Sequence, residues 1–220
     1  MRGPMTTSSS VVLPDSKRRQ SDLIGYNPSR NIHLGIRLAS MIGLDLNLFV
    51  TFNIGLTACN PEFADRAFAK LRAAFGKWAN RPAKAQTMTA IPPTFVWVIE
   101  NPNECLNAHW LVHVPQKRQA EFRRNLPKWL EAAMGEVYSE KAIKVKPITS
   151  AEGLKAYLLK GLHPALARTF GIRHEYQGWV FGRRAGHSRN LGPVQVKRWR
   201  DLQVFPPAKR WVTRGRACRL

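Results

Sequence analysis

Asn107, His109, Leu111 and His113 follow one another at a spacing of two, and their types suggest chemistry. On an extended strand alternate side chains leave the same face, so an amide and two imidazoles would line up there. Glu100 stands seven residues before Asn107, across Asn101-Pro102-Asn103, a turn signal that can fold a carboxylate back beside the amide and the first imidazole. A carboxylate, an imidazole nitrogen and an amide oxygen make a donor set for a hard divalent cation, Mg²⁺ or Mn²⁺. The same residues also suit an ordinary hydrogen-bonded strand histidine, and spacing alone does not separate the two. A second group lies in Tyr157-Leu158-Leu159-Lys160-Gly161. Residues three apart on a helix share a face, so the Tyr157 phenol and the Lys160 ammonium can point to one place. A phenol titrates near ~10 and needs a neighbouring cation or metal to attack phosphorus at neutral pH. The alternative is an amphipathic tyrosine beside a snorkelling lysine.

The elements that must position these groups read as follows. Leu46 to Ile54 is mostly apolar and rich in β-formers, which predicts a central strand. Asn60-Pro61 starts a helix over 61–79, with Phe63, Ala67, Phe68, Leu71, Phe75 and Trp78 at helical spacing. Thr94 to Glu100 and Ala108 to Val114 form an antiparallel hairpin. Gln116 to Gly135 is helical in pattern, and Pro127 predicts a break or kink within it. Ala142 to Ile148 alternates as a fourth strand, with Lys144 and Lys146 on one face. Ser150 starts a further helix that Gly161 ends. Residues 31–42 lean to helix. The succession predicts an α+β fold: a split βαβ, ferredoxin-like antiparallel sheet with helices on one face. Residues 1–30 are expected as a disordered arm, 31–192 as the domain and 193–220 as a basic tail.

Charge narrows the partner. The 220 residues carry 35 Lys+Arg against 14 Asp+Glu, a net +21, too large an excess for a generic metabolic enzyme. Residues 151–220 hold 15 basic and 3 acidic side chains, so more than half of the excess sits in the last third. Trp199 and Trp211 interleave with Lys197, Arg198, Arg200, Lys209 and Arg210. Basic groups that neutralise phosphates, with indoles on which bases stack, point to single-stranded nucleic acid. No apolar run is long enough to span a membrane, and no long helix in the basic region has the clean apolar face of a membrane-surface helix. Three cysteines without CxxC spacing exclude a disulfide framework and fit a reducing cytoplasm.

Three segments occur in a telling order: strand Phe49-Val50-Thr51-Phe52-Asn53, strand Asn107-Ala108-His109-Trp110-Leu111-Val112-His113-Val114-Pro115, and helix Tyr157 to Lys160. Together they resemble the rolling-circle replication initiators, the His-hydrophobic-His endonucleases of plasmids, phages and related transposases. Within that family the chain is similar to a bacterial replication-protein-like group that shares the Glu-Asn-Pro turn, the His-Val-Pro strand end, the Tyr-Leu-Leu-Lys-Gly helix and a later stretch. That stretch is here Gln177-Gly178, Gly182-Arg183-Arg184 and Ser188 to Gly192. The resemblance covers roughly residues 46–192. It implies metal-assisted nicking of single-stranded or hairpin DNA, with Tyr157 as nucleophile and a 5′-phosphotyrosine as product. Lys160 would steady phosphate charge. His109, Glu100 and Asn107 would hold Mg²⁺ or Mn²⁺, and Arg183, Arg184 and Arg189 would neutralise the backbone. Lys197, Arg198 and Arg200 would extend that contact along the tail.

One departure stands out: the first metal histidine of the family falls at Asn107, a neutral and weaker ligand. His113 could substitute or merely pack. Two alternatives follow, a DNA-binding protein of the same fold without nuclease chemistry and an RNA-binding protein. The latter would expose strand aromatics, and Phe95, Trp97 and Trp110 read instead as core. No P-loop is present, so unwinding and synthesis would fall to a host helicase and polymerase.

Overall fold

A computed structural model describes residues 18–81 and 91–202. In chain order the elements are β1 (Gln20–Ser21), α1 (Tyr26–Met41), β2 (Leu48–Asn53), α2 (Ala64–Ala79), β3 (Phe95–Glu100), β4 (Asn107–Val112), α3 (Gln119–Met134), β5 (Ile143–Pro147), α4 (Ala151–Leu158), α5 (Pro164–Thr169), β6 (Val180–Phe181), β7 (Ala185–His187) and α6 (Pro193–Asp201). Five strands form one sheet in the order β5-β2-β4-β3-β7, each antiparallel to its neighbours. β1 and β6 make a separate two-stranded ribbon. The four strands expected from sequence are all present, and β7 adds a fifth at the β3 edge.

Period-two alternation decides which side chains meet. Leu48, Val50 and Phe52 of β2, Phe95, Trp97 and Ile99 of β3, and Ala108, Trp110 and Val112 of β4 share one face. Phe68, Leu71 and Phe75 of α2, with Phe122, Leu126 and Leu130 of α3, pack on that face. Aromatic edges fill it: Phe75 meets Trp110 at a centroid distance of 5.0 Å and an angle of 85°. The RNA-recognition alternative loses its platform here, because Phe95, Trp97 and Trp110 are all buried. Arg118 closes the end of this layer. It donates to the carbonyls of Trp78, Ala79 and Arg81 at the C-terminus of α2, and its guanidinium lies 3.9 Å from the Trp78 ring centre.

The opposite face corrects the expectation of helices on one side only. Val96, Val98 and Leu111 are apolar there, and leaving them in water would be costly. α1 covers them with Ile32, Ile36 and Leu38, joined by Leu158, Leu159 and Leu162 from the α4 region and by Val196 of α6. Among the described residues the sheet therefore has helices on both faces.

Four further expectations change. Residues 18–30 are not an arm: Gln20 and Ser21 pair with Phe181 and Val180, Ile24 is buried and bonded to Gly161, and α1 begins at Tyr26. Residues 193–202 are not an extended tail, because α6 packs against α1 through Val196. The remainder of the expected arm, residues 1–17, and of the tail, residues 203–220 with Trp211, lie outside the described residues. α3 runs through Pro127 without interruption. The ring sits on the solvent side between buried Leu126 and Leu130, where water can take up the carbonyl its missing N–H leaves open. Phe63, expected inward, is 38% exposed in a 3-10 turn before α2 and lies beneath Arg18 and Arg66. No helix among the described residues is long and apolar enough to cross a membrane.

Candidate functional site

The β3–β4 hairpin carries the centre of the site. Glu100 ends β3 opposite Asn107, and His109 faces Thr51 on β2 and Val98 on β3. Glu100 and His109 are thus diagonal neighbours on the face away from the aromatic core, within reach of long side chains. Glu100 Oε1 lies 2.7 Å from His109 Nε2, and both residues are buried. Thr51 Oγ1 lies 3.1 Å from His109 Nδ1. Phe49 stacks on the imidazole at 5.4 Å. A strand hydroxyl, a carboxylate and a phenyl ring together fix the ring's orientation.

α4 brings in the phenol. Ser150 caps this helix, its Oγ accepting from the Gly153 amide at 3.3 Å. One turn further on, the Tyr157 hydroxyl stands 3.3 Å from His109 Nε2, and its ring meets Phe49 and His109 edge-on. Lys160 does not lie on the helix as expected, but in the turn beyond its cap at Leu159. Its Nζ still reaches the same place, 3.4 Å from Glu100 Oε2, 3.9 Å from Glu175 Oε2 and 4.4 Å from the Tyr157 ring centre. Tyr157, Lys160, His109 and Glu100 therefore converge. The groove that holds Tyr157, His109 and Glu100 has a volume of about 500 Å³, and Lys144 and Lys146 of β5 also line it.

Two ionisations are displaced. Burial opposes charge on Glu100, but the hydrogen bonds and charge of His109 and Lys160 outweigh it and hold the carboxyl below its ordinary value. Tyr157 is pushed up by burial and by the negative charges of Glu100 and Glu175.

The donor set expected for a divalent cation comes together only in part. Asn107 shares the face, but its Nδ2 donates to the Cys105 carbonyl at 2.8 Å. His113 lies beyond the end of β4 with Nδ1 2.7 Å from the Asp45 carbonyl, remote from the centre. Leu111 between them is core. Glu100 Oε1, at 2.7 Å, occupies the Nε2 side of His109 that a cation would approach. The other Glu100 oxygen already faces the Lys160 ammonium. Among the described residues no three His, Cys, Asp or Glu side chains gather in a metal-holding group. As they stand, Glu100 and Asn107 are engaged by protein partners, and the positive charge at Glu100 is supplied by Lys160.

The arginines separate. Arg184 is not a phosphate contact but a buried clamp: it donates to the carbonyls of Ile99, Ser21, Gln177 and Gly178, the last two both at 2.6 Å. Burial lowers its pKa to about 10. Arg183 and Arg189 are exposed, as are Lys197 and Arg198 on α6, while Arg200 is half-buried. Sequence reasoning missed Glu175, which no motif marks. It also gave no role to Thr51, although the Thr of that strand was signal enough to look. Comparison of the chain with protein-family models, with curated proteins and with solved structures finds no match.

Proposed function

We propose that the chain is a replication-initiator-like protein that binds single-stranded or hairpin DNA and nicks it through Tyr157. The supporting observation is the convergence of Tyr157, His109, Glu100 and Lys160 at a groove lined by Lys144 and Lys146. In this reading the Tyr157 oxygen forms a bond to phosphorus and the bond from phosphorus to O3′ breaks. The phenol gives up its proton and the leaving O3′ takes one, leaving a 5′-phosphotyrosine and a free 3′-OH. Lys160 and the β5 lysines offset charge on the phosphate. The βαββαβ succession of β2, α2, β3, β4, α3 and β5 supports a ferredoxin-like split βαβ as the core of the fold. A host helicase and polymerase would complete replication, in a reducing cytoplasm consistent with free Cys59 and Cys105. Mg²⁺ or Mn²⁺ binding would require the His109–Glu100 bond to open.

A second reading has its own support. The raised Tyr157 pKa and the occupied His109 Nε2 favour a DNA-binding protein of this fold that does not cleave. Incubation with single-stranded and hairpin DNA, with Mn²⁺ or with EDTA, separates the two by the presence of a covalent DNA–protein adduct. Nicking predicts an adduct that Tyr157→Phe abolishes while binding stays within about twofold. Binding without any adduct gives the second reading its place, and an adduct that survives in the Phe variant removes Tyr157 as the nucleophile.

A further inference from the structure

Between α5 and β6 the chain runs Arg173-His174-Glu175-Tyr176-Gln177-Gly178-Trp179. Tyr176 is 57% and Trp179 53% exposed, among the largest aromatic surfaces given to water by the described residues. Loose loops expose aromatics without consequence, but this one is pinned throughout. The Glu175 amide donates to the Lys160 carbonyl, and the Asn101 amide to the Gln177 carbonyl, both at 2.8 Å. Asn101 Nδ2 donates to the Trp179 carbonyl, His174 Nδ1 lies 2.7 Å from the Leu162 carbonyl, and Arg184 holds the carbonyls of Gln177 and Gly178. Gly178 has φ +62°, and a Cβ there would fall 1.9 Å from the Asn101 carbonyl oxygen. Gln177 and Val180 are buried on either side. The backbone is thus fixed while two rings are turned out to solvent.

The anchors are parts of the site itself: Lys160, and Asn101 directly after Glu100. We propose, building on the nucleic-acid reading above, that Tyr176 and Trp179 form a stacking platform for the bases of a single strand. Their backbone attachments place this platform beside the Tyr157 groove. Indole and phenol faces accept any base, and rigid rings lose little entropy on contact. Phosphates of the same strand would meet Lys160, Lys144 and Lys146. Charge favours this occupant over an apolar protein segment, since the groove is lysine-lined and the chain carries +21. A duplex hides its base faces and would not use the rings.

The test compares the full-length protein with a Tyr176→Ala/Trp179→Ala variant and a Tyr176→Phe/Trp179→Phe variant. Three ligands are used: a mixed-sequence single strand, the matching duplex and inorganic polyphosphate. The expected result is a loss of about tenfold or more in single-strand affinity for the alanine pair, recovered largely by the phenylalanine pair. Duplex and polyphosphate affinity, and the salt slope on single strands, should stay as in the wild type, because phosphate contacts are untouched. Equal affinity of wild type and alanine pair for the single strand overturns the platform. So does a parallel loss on polyphosphate, which would mean the loop supports charge rather than stacking. Adduct formation by Tyr157 is read separately, so loss of the adduct with the platform intact removes the nicking reading alone.

Discussion

The two faces of the central sheet are built on opposite plans. Under α2 and α3 the strands present Phe52, Phe95, Trp97 and Trp110, and helix aromatics Phe68, Phe75 and Phe122 interlock with them. On the other face the helices cover only part of the sheet. α1 lies over β3 and β7, where Val96 and Val98 of β3, beside Leu111 of β4, are aliphatic. Over β2 and β5 the cover gives way to a groove edged by Tyr157, with Lys144 and Lys146 exposed. A face sealed by rings has no room for a ligand. The site exists where the second helical layer stops short, and polar side chains there are held by one another and by the Phe49 ring.

That contrast can be broken by substitution. Trp110→Ala should have the largest effect, a loss of about 3–5 kcal/mol of stability from a cavity among close-packed rings, read by denaturant unfolding. Tyr157→Phe should cost under about 1 kcal/mol in the same measurement. A reversed order would mean that the groove, and not the aromatic layer, holds the fold together.

Glu100→Gln comes next. It leaves His109 and Lys160 without their charged partner and should destabilise by about 1–3 kcal/mol at neutral pH. The pH dependence sharpens this. The folded carboxyl is held below its ordinary value, so its contribution is complete above the unfolded value of ~4.3 and is lost as pH falls through the lower folded value. Unfolding curves of the wild type should therefore weaken below about pH 4.3 by more than those of the Gln variant. Parallel acid profiles for the two proteins would remove Glu100 as the electrostatic anchor of the site.

The smallest effect on stability belongs to Lys144→Ala/Lys146→Ala, on an exposed strand face: within about 0.5 kcal/mol. Its signature is in binding. Loss of two phosphate contacts should reduce the salt slope on single-stranded DNA by about 1.4, at ~0.7 per contact. An unchanged slope would place the strand away from β5.

Much of this was legible in residue order. The apolar, β-rich run of β2, the spacing of two in β4 and the alternation in β5 announce the sheet, and the Asn60 and Ser150 caps mark their helices locally: Asn60 Oδ1 accepts from the Glu62 amide, as Ser150 does from Gly153. Glu100, His109 and Tyr157 could be brought together because the hairpin fixes register and the helix supplies the third partner. What was missed depends on distant choices. β7 is Ala-Gly-His, with almost no β preference, and becomes a strand because Val98, Trp97 and Val96 offer it an edge. The second helical layer was invisible because Val96 and Val98 read equally well as part of a continuous buried strand. Arg184 looked like its neighbour Arg183, yet one is buried among carbonyls and the other exposed; nothing in Gly-Arg-Arg distinguishes them. The second imidazole of the spaced series fails for a simpler reason. β4 ends at Val112, so the alternation that aligned Asn107 with His109 no longer governs His113.

The Arg184 clamp has a consequence for how the protein is made. One guanidinium joins the Ser21 carbonyl to those of Gln177 and Gly178, across 163 residues in the first case. β1 likewise pairs with β6, far along the chain. At roughly 5–20 residues per second, a ribosome emits Ser21 some 8–30 s before Arg184. The N-terminal segment must wait through that interval unpaired, and the loop beside Lys160 cannot take its final form until the last third has emerged. A nascent chain thus gains its aromatic layer early and the anchored loop beside its groove late.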